Sequence, residues 1–287
     1  SPTVALLAAK MTKAALAADV VGPVAGPVPL TPTQRWFFET HRGPVHHFNQ
    51  SVCLATGGRF DERALRAALE ALWERHDMLR AVYRTVDGEV RQEVRPVSAF
   101  AGFRVESPGG EAGSWDEIAA RAQSGLNLEE GPLFVATLVH LDDADRLLLV
   151  AHHLVVDGVS WRILLEDLET AYEATRAGRP VVLPPRRSTF RDRALEIERV
   201  LASGLTEREE RQWREIEESV EPLPRDGETE TNRYGDAETV SFSFTEAETT
   251  GILEGVHHAY RTEVNDLMLA ALARALKRWT GRVRHLV

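Results

Sequence analysis

At 287 residues the chain is long enough for one large domain or two modest ones, and it can bury a core without disulfides or structural metal. Lys and Arg number 34 against 44 Asp and Glu, a formal net charge of −10, so no basic excess exists to displace counterions and nucleic acid is excluded as the main partner. The single cysteine, Cys53, excludes a disulfide framework and fits a reducing cytoplasmic setting, while no run of about 18 apolar residues suggests a membrane partner.

In chain order, Thr3 to about Ala18 reads as a short helix, with Leu6, Leu7 and Met11 along one side. It is no signal peptide, because Lys10 and Lys13 lie inside the apolar stretch instead of ahead of it. Residues 21–29, rich in Pro and Gly, read as a linker. Thr31-Pro32 starts a helix through Trp36, Phe37 and Phe38, since threonine caps and proline suits the first turn. Residues 48–56 read as a strand, with Cys53 as a small core residue. Asp61 caps a helix carrying Leu65, Leu69, Leu72 and His76. Asp87-Gly88 joins strands 81–86 and 89–95 as a hairpin. Ser114 caps a helix over 115–124.

Two apolar runs follow, 133–141 and 146–155. The second is apolar on both faces, as a central, doubly covered strand would be. It leads into His152-His153, then Asp157-Gly158, and Ser160 opens a helix carrying Trp161, Leu164, Leu168 and Tyr172. Residues 196–236 read as a charged helix and linker, with Thr206 and Glu209 at capping-box spacing. Val240, Phe242 and Phe244 alternate as a half-buried strand, and Thr245 and Glu248 form a second capping box. The last helix spans about 263–280, its buried side including Val264, Leu267, Met268, Leu272 and Trp279, and Arg282 to Val287 starts a strand. The class is α+β, with an N-terminal lobe over 30–195 and the start of a second lobe over 237–287.

The segment able to carry chemistry is HHLVVDGVSW, His152 to Trp161. A histidine leaving a buried strand is held rigidly, and its ordinary pKa lets it take and return a proton. Gly158 admits a backbone conformation or close approach that a side chain would block. Ser160 sits where helix N–H groups favour developing negative charge. His and Asp are also metal ligands, but no third and fourth ligand stand at suggestive spacing, so no metal is assigned. The pairs His46-His47 and His257-His258 lack this strand, turn and helix context and are assigned nothing.

This segment resembles the HHxxxDG motif of the condensation superfamily of nonribosomal peptide synthetases. LTPTQRWFFE (Leu30–Glu39) and RHDMLRAVYR (Arg75–Arg84) resemble further motifs in the right order. The PTQRWFFE form, FNQSV (Phe48–Val52), Ser160-Trp161 after DGV, and Tyr260–Gly281 all resemble the epimerization branch. SPTVALLAAKM resembles the last helix of a peptidyl carrier domain, which puts residues 1–20 in that domain.

The resemblance implies a chloramphenicol-acetyltransferase-like fold of two lobes forming a V around a tunnel. It implies conversion of L to D configuration at the Cα of an aminoacyl or peptidyl thioester. The phosphopantetheine arm of a carrier domain in cis brings the substrate, so no cofactor binds directly, and neighbouring synthetase modules are the other partners. By the same resemblance His153 is catalytic. His152, Asp157, Gly158, Ser160, Trp161 and Arg80 support the motif, with Asp157 paired to Arg80. A glutamate from the second lobe completes the proton transfer in the family. Its motif lies beyond the last helix, no glutamate here matches it, and the chain is expected to hold only the beginning of that lobe. The alternatives are a condensation domain forming the peptide bond, or a non-catalytic docking module of the same fold.

Overall fold

The computed structural model describes residues 22–109, 113–142, 144–204, 207–225, 227, 234–255 and 262–285. The expected helix at Thr3–Ala18, the carrier-domain reading of residues 1–20, Thr206, and His257-His258 lie outside the described residues. The chain divides into two compact units between Ala202 and Ser203.

The first unit contains β1 (Gly26–Val28), α1 (Pro32–Thr40), β2 (Asn49–Ala55), α2 (Glu62–Arg75) and a 3₁₀ turn at Asp77–Arg80. It continues with β3 (Ala81–Val86), β4 (Glu89–Val94), β5 (Phe103–Glu106), α3 (Trp115–Ser124) and β6 (Phe134–His140). β7 (Asp145–His152), α4 (Gly158–Arg176) and α5 (Phe190–Ala202) complete it. Local chemistry accounts for the boundaries. Thr31 and Gln34 form a reciprocal capping box at α1, as Ser114 and Glu117 do at α3, and the Asp61 carboxylate accepts the Ala64 N–H at α2. Asp87 and Gly88 both have positive φ, 54° and 82°, as a tight turn between β3 and β4 requires.

β1, β4 and β3 form one antiparallel sheet in that order. β1 lies within the stretch expected to be a plain linker. Pro27 is tolerated because β1 is an edge strand that can spare an N–H. The second sheet runs β2-β7-β6-β5, with only the β5–β6 pair parallel. β7 is central, and both of its faces are covered. Leu147, Leu149 and Ala151 join the main core with Leu69 and Leu72 of α2 and Leu164 and Leu168 of α4. Leu148 and Val150 face the other way and pack with Ala122 of α3 and Leu126.

Two expectations are corrected in this unit. The lobe does not stop at residue 195, because α5 runs unbroken through it and buries Ala194 completely. Its start is marked by Thr189 and Asp192, whose backbone and side chains bond reciprocally. Cys53 is exposed, not a core residue. The pleat turns Val52 and Leu54 toward the core and Ser51, Cys53 and Ala55 away from it.

The second unit holds α6 (Glu207–Glu218), a 3₁₀ turn at Tyr234–Asp236, α7 (Glu246–Thr250) and α8 (Val264–Thr280). The Thr245–Glu248 capping box is present, and Gly281 ends α8 at φ 75°. The expected strand is not: among the described residues, 240–244 pair with no strand, and Val240, Phe242 and Phe244 are exposed. Of the strand expected over Arg282 to Val287, residues 282–285 form none, and Leu286 and Val287 lie outside the described residues. On α8 Val264 and Leu267 are half-buried, whereas Met268, Leu272 and Trp279 are exposed. Apolar periodicity fixes the helix, but burial needs a second layer, and the described residues of this unit do not build one.

Candidate active site

β7 delivers its last residue, His152, fully buried at the end of the sheet. The Val45 carbonyl accepts from His152 Nε2 at 2.9 Å, and His152 Nδ1 accepts the Leu154 N–H at 3.1 Å. A carbonyl on one nitrogen and an N–H on the other fix a single neutral tautomer. Burial pushes the pKa of His152 down to about 4. The Val45 carbonyl opposes this, and His153, His46 and His41 add to it. Phe37 meets the ring edge-on.

The chain turns immediately after, and His153 is exposed on the surface of this unit. Its N–H donates to the Phe48 carbonyl at 2.7 Å, and its ring stacks on Phe48 at 5.2 Å and 15°. The Val156 carbonyl lies 2.9 Å from His153 Nδ1. Because a carbonyl only accepts, Nδ1 carries the proton and Nε2 is the basic nitrogen of the neutral ring. Gln50 Nε2 stands 3.1 Å from that nitrogen, and Trp161 Nε1 donates to Gln50 Oε1 at 3.0 Å.

Asp157 is the N-cap of α4. Its Oδ1 accepts the Ser160 N–H and the Ser160 hydroxyl, both at 2.7 Å. These two bonds pull its pKa below the usual carboxylate range against the cost of burial, with smaller help from the Val159 N–H and His153. Two expectations are corrected here. Ser160 does not offer its N–H to a developing negative charge, because the carboxylate of Asp157 already occupies it. Gly158 answers no steric demand: its φ is not in the left-handed region, and an added Cβ would meet nothing within 4 Å.

Arg80 does not pair with Asp157. It is 1% exposed and donates to the carbonyls of Trp73, Glu74 (3.0 Å), Arg95 (3.1 Å) and Val24 (3.3 Å), and to Asp77 Oδ1 (2.7 Å). That uses all five guanidinium N–H groups. Asp77 in turn accepts from Arg186 at 2.6 Å and from the Val24 N–H at 3.1 Å. Arg80 therefore ties together the end of α2, the end of β4 and the segment at Val24.

Gln34 reaches that turn from α1. Its Nε2 donates to the Tyr83 hydroxyl at 2.9 Å and to the Leu154 carbonyl at 3.3 Å, and Tyr83 also donates to the Leu154 carbonyl at 3.2 Å. Burial pushes the Tyr83 pKa up, which keeps the phenol a donor. Of the two other histidine pairs, His46 accepts the Leu128 N–H. Partial burial pushes the Cys53 thiol up, opposed by Arg146. A cavity of about 330 Å³ beside Arg80, Arg104 and Arg121 and a cleft of about 990 Å³ beside Arg59 and Tyr172 include neither His152 nor His153. Among the described residues no three His, Cys, Asp or Glu side chains converge to hold a metal ion, and no helix is long and apolar enough to cross a membrane. Gln34, Phe48 and Gln50 were missed as site residues. Gln34 had a signal, a polar side chain inside the apolar stretch PTQRWFF, whereas the roles of Phe48 and Gln50 arise only from the placing of β2 beside the histidine turn.

The α+β architecture with its histidine turn is that of the chloramphenicol-acetyltransferase-like fold. The condensation domain family model matches residues 24–287, and the chain belongs to that superfamily of nonribosomal peptide synthetase domains. It is 37% identical over 264 residues to gramicidin S synthase 1 of Brevibacillus brevis, covering 90% of this chain and 24% of that synthase. It is 38% identical over 264 residues to tyrocidine synthase 2 of Brevibacillus parabrevis, covering 90% and 7%. The epimerization domain from the third module of tyrocidine synthetase B is 38% identical with a TM-score of 0.83, covering 91% of this chain and 61% of that one. The X-domain from teicoplanin biosynthesis is 26% identical with a TM-score of 0.71, covering 91% and 59%. The chain thus spans about three fifths of these structural neighbours and a quarter or less of these synthases.

Proposed function

We propose that the chain epimerises the Cα of an aminoacyl or peptidyl residue held as a phosphopantetheine thioester on a carrier domain. The observation that carries this reading is His153, whose Nδ1–H is fixed on the Val156 carbonyl so that Nε2 is the basic nitrogen of an exposed ring. The likeness to the tyrocidine epimerization domain supports it. In the proposed step Nε2 takes the α-proton. The electron pair of the C–H bond passes into the thioester carbonyl as an enolate, and a proton returns to Cα from the opposite face. A second group must supply that face, and none of the glutamates here is nominated. General-base assistance of this kind contributes about 10²–10⁴-fold. The carrier domain is the partner in cis, with neighbouring synthetase modules beyond it. Asp157 and Arg80 have their partners elsewhere, so neither takes the acid or base role.

The family match favours a second reading, peptide-bond formation, in which the same imidazole assists an amine attacking the thioester. One experiment separates the two. A carrier-bound L-aminoacyl thioester, with a second carrier-bound aminoacyl thioester supplying an acceptor amine, is incubated in deuterium oxide with the chain, alone and extended to the length of the tyrocidine domain. Deuterium at Cα, lost in His153→Ala with an unchanged melting temperature, is the expected result. Amide formation without exchange would move the assignment to condensation. Neither reaction in either form, across several substrates, would leave a docking role like that of a non-catalytic module.

A further inference from the structure

Gln50 faces the reactive nitrogen of His153, and nothing in the HHxxxDG segment accounts for it. A glutamine carboxamide has a donor end and an acceptor end of nearly the same shape, so its neighbours decide which end faces where. An indole N–H can only donate, and Trp161 Nε1 sits 3.0 Å from Gln50 Oε1. The acceptor end is therefore taken, and the NH₂ end points at His153 Nε2, 3.1 Å away. At the far side of the ring Nδ1–H is committed to Val156. The mount is rigid: Trp161 is 7% exposed in the core, and Gln50 lies in β2 directly opposite Ala151 of β7. Gln50 thus donates to the lone pair of a neutral imidazole. Once Nε2 is protonated, two N–H donors face each other, the bond is lost, and Gln50 must swing away.

We infer that Trp161 and Gln50 are positioning residues that hold His153 neutral and aimed, and that uptake of a proton at Nε2 releases Gln50. The inference rests on the reading of His153 as the base. The other titratable groups around His153 are Asp157, whose carboxylate favours the imidazolium, and neutral His152, with His41 and His46 behind it.

Nitrogen-15 histidine NMR of the full chain tests this without substrate, because it reports the tautomer and titration midpoint of His153 directly. Gln50→Glu puts an acceptor where the donor was and should raise the midpoint by about one unit or more. Trp161→Phe keeps the ring in the core but frees the carboxamide to flip, and should raise it by less. The acid limb of the exchange-rate profile should move with the Gln50→Glu titration. A packing role alone would move neither. Midpoints of both variants within about 0.2 units of the parent, in folded protein, would overturn the inference, since a direct charge contact shifts a group by more than that. If Trp161→Phe fails to fold, Gln50→Glu alone decides. A shifted midpoint in a chain that exchanges no Cα proton supports the Gln50 contact and sinks only the epimerase reading. Exchange with unmoved midpoints sinks only the Gln50 inference.

Discussion

Arg80 and His153 sit on turns of the same unit, and the protein uses them in opposite ways. Arg80 is sealed at 1% exposure with every N–H spent on backbone carbonyls and Asp77, so it can hold elements together and do nothing else. His153 is exposed, and among the described residues its Nε2 meets the Gln50 side chain, which a substrate or a proton can displace. Residues resembling one motif set therefore divide into those that build the scaffold and one that is left accessible. The stability of the first group and the proton chemistry of the second should respond to different substitutions.

The largest effect that would sharpen this contrast is on Arg80. Arg80→Ala strips the partner from one side of a buried charge network and leaves four backbone carbonyls short of a donor. It should cost about 3–5 kcal/mol of unfolding free energy, read by denaturant titration. Arg80→Lys should recover little, because a compact ammonium cannot reach several carbonyls at once. A loss under about 1 kcal/mol, the range of a surface pair, would mean the cluster is not the anchor its geometry implies.

His152 gives a smaller effect with a defined sign. Its folded pKa of about 4 lies below the ordinary 6.5, so between those values the unfolded chain binds the proton and the folded chain does not. The contribution is present in full above about 6.5 and is lost as pH falls toward 4. It amounts to at most about 3–4 kcal/mol at about 1.4 kcal/mol per unit. Unfolding free energy should fall over that window, and His152→Gln should flatten the fall while keeping a donor for Val45. An equal slope in the variant would place the titrating group elsewhere.

Much of this division was legible in the residues. Asp61, Thr31 and Ser114 announced their helices, Asp87-Gly88 its turn, and the two-faced apolar run its central strand, because each is a local preference the fold had no reason to override. The histidine turn was legible for the same reason. The partner of Arg80 was not carried by the motif resemblance, although DMLR places an acid three residues before it on one helical turn. Gln50 could not be found by pattern, since its meaning arises only when β2 and α4 bring it between Trp161 and His153. Val240, Phe242 and Phe244 misled because alternation states what a strand could bury and not whether a neighbour is there to pair with it.

The smallest expected effect is the most direct test of how the two regions are separated. Asp157 caps α4 through Ser160, so Asp157→Ala should cost about 1 kcal/mol, as loss of an N-cap typically does, and Asp157→Asn should cost less. Because its folded pKa is lowered, that contribution is present above the ordinary carboxylate range and disappears as pH falls through the folded value. Asp157 and Arg80 share no hydrogen-bond partner, one bonding Ser160 and the other Asp77 and four carbonyls. The double variant Arg80→Ala/Asp157→Ala should therefore be additive within about 0.5 kcal/mol in a thermodynamic cycle. A paired carboxylate and guanidinium would instead couple by about 1 kcal/mol or more, because losing the first partner already forfeits what the second contributes.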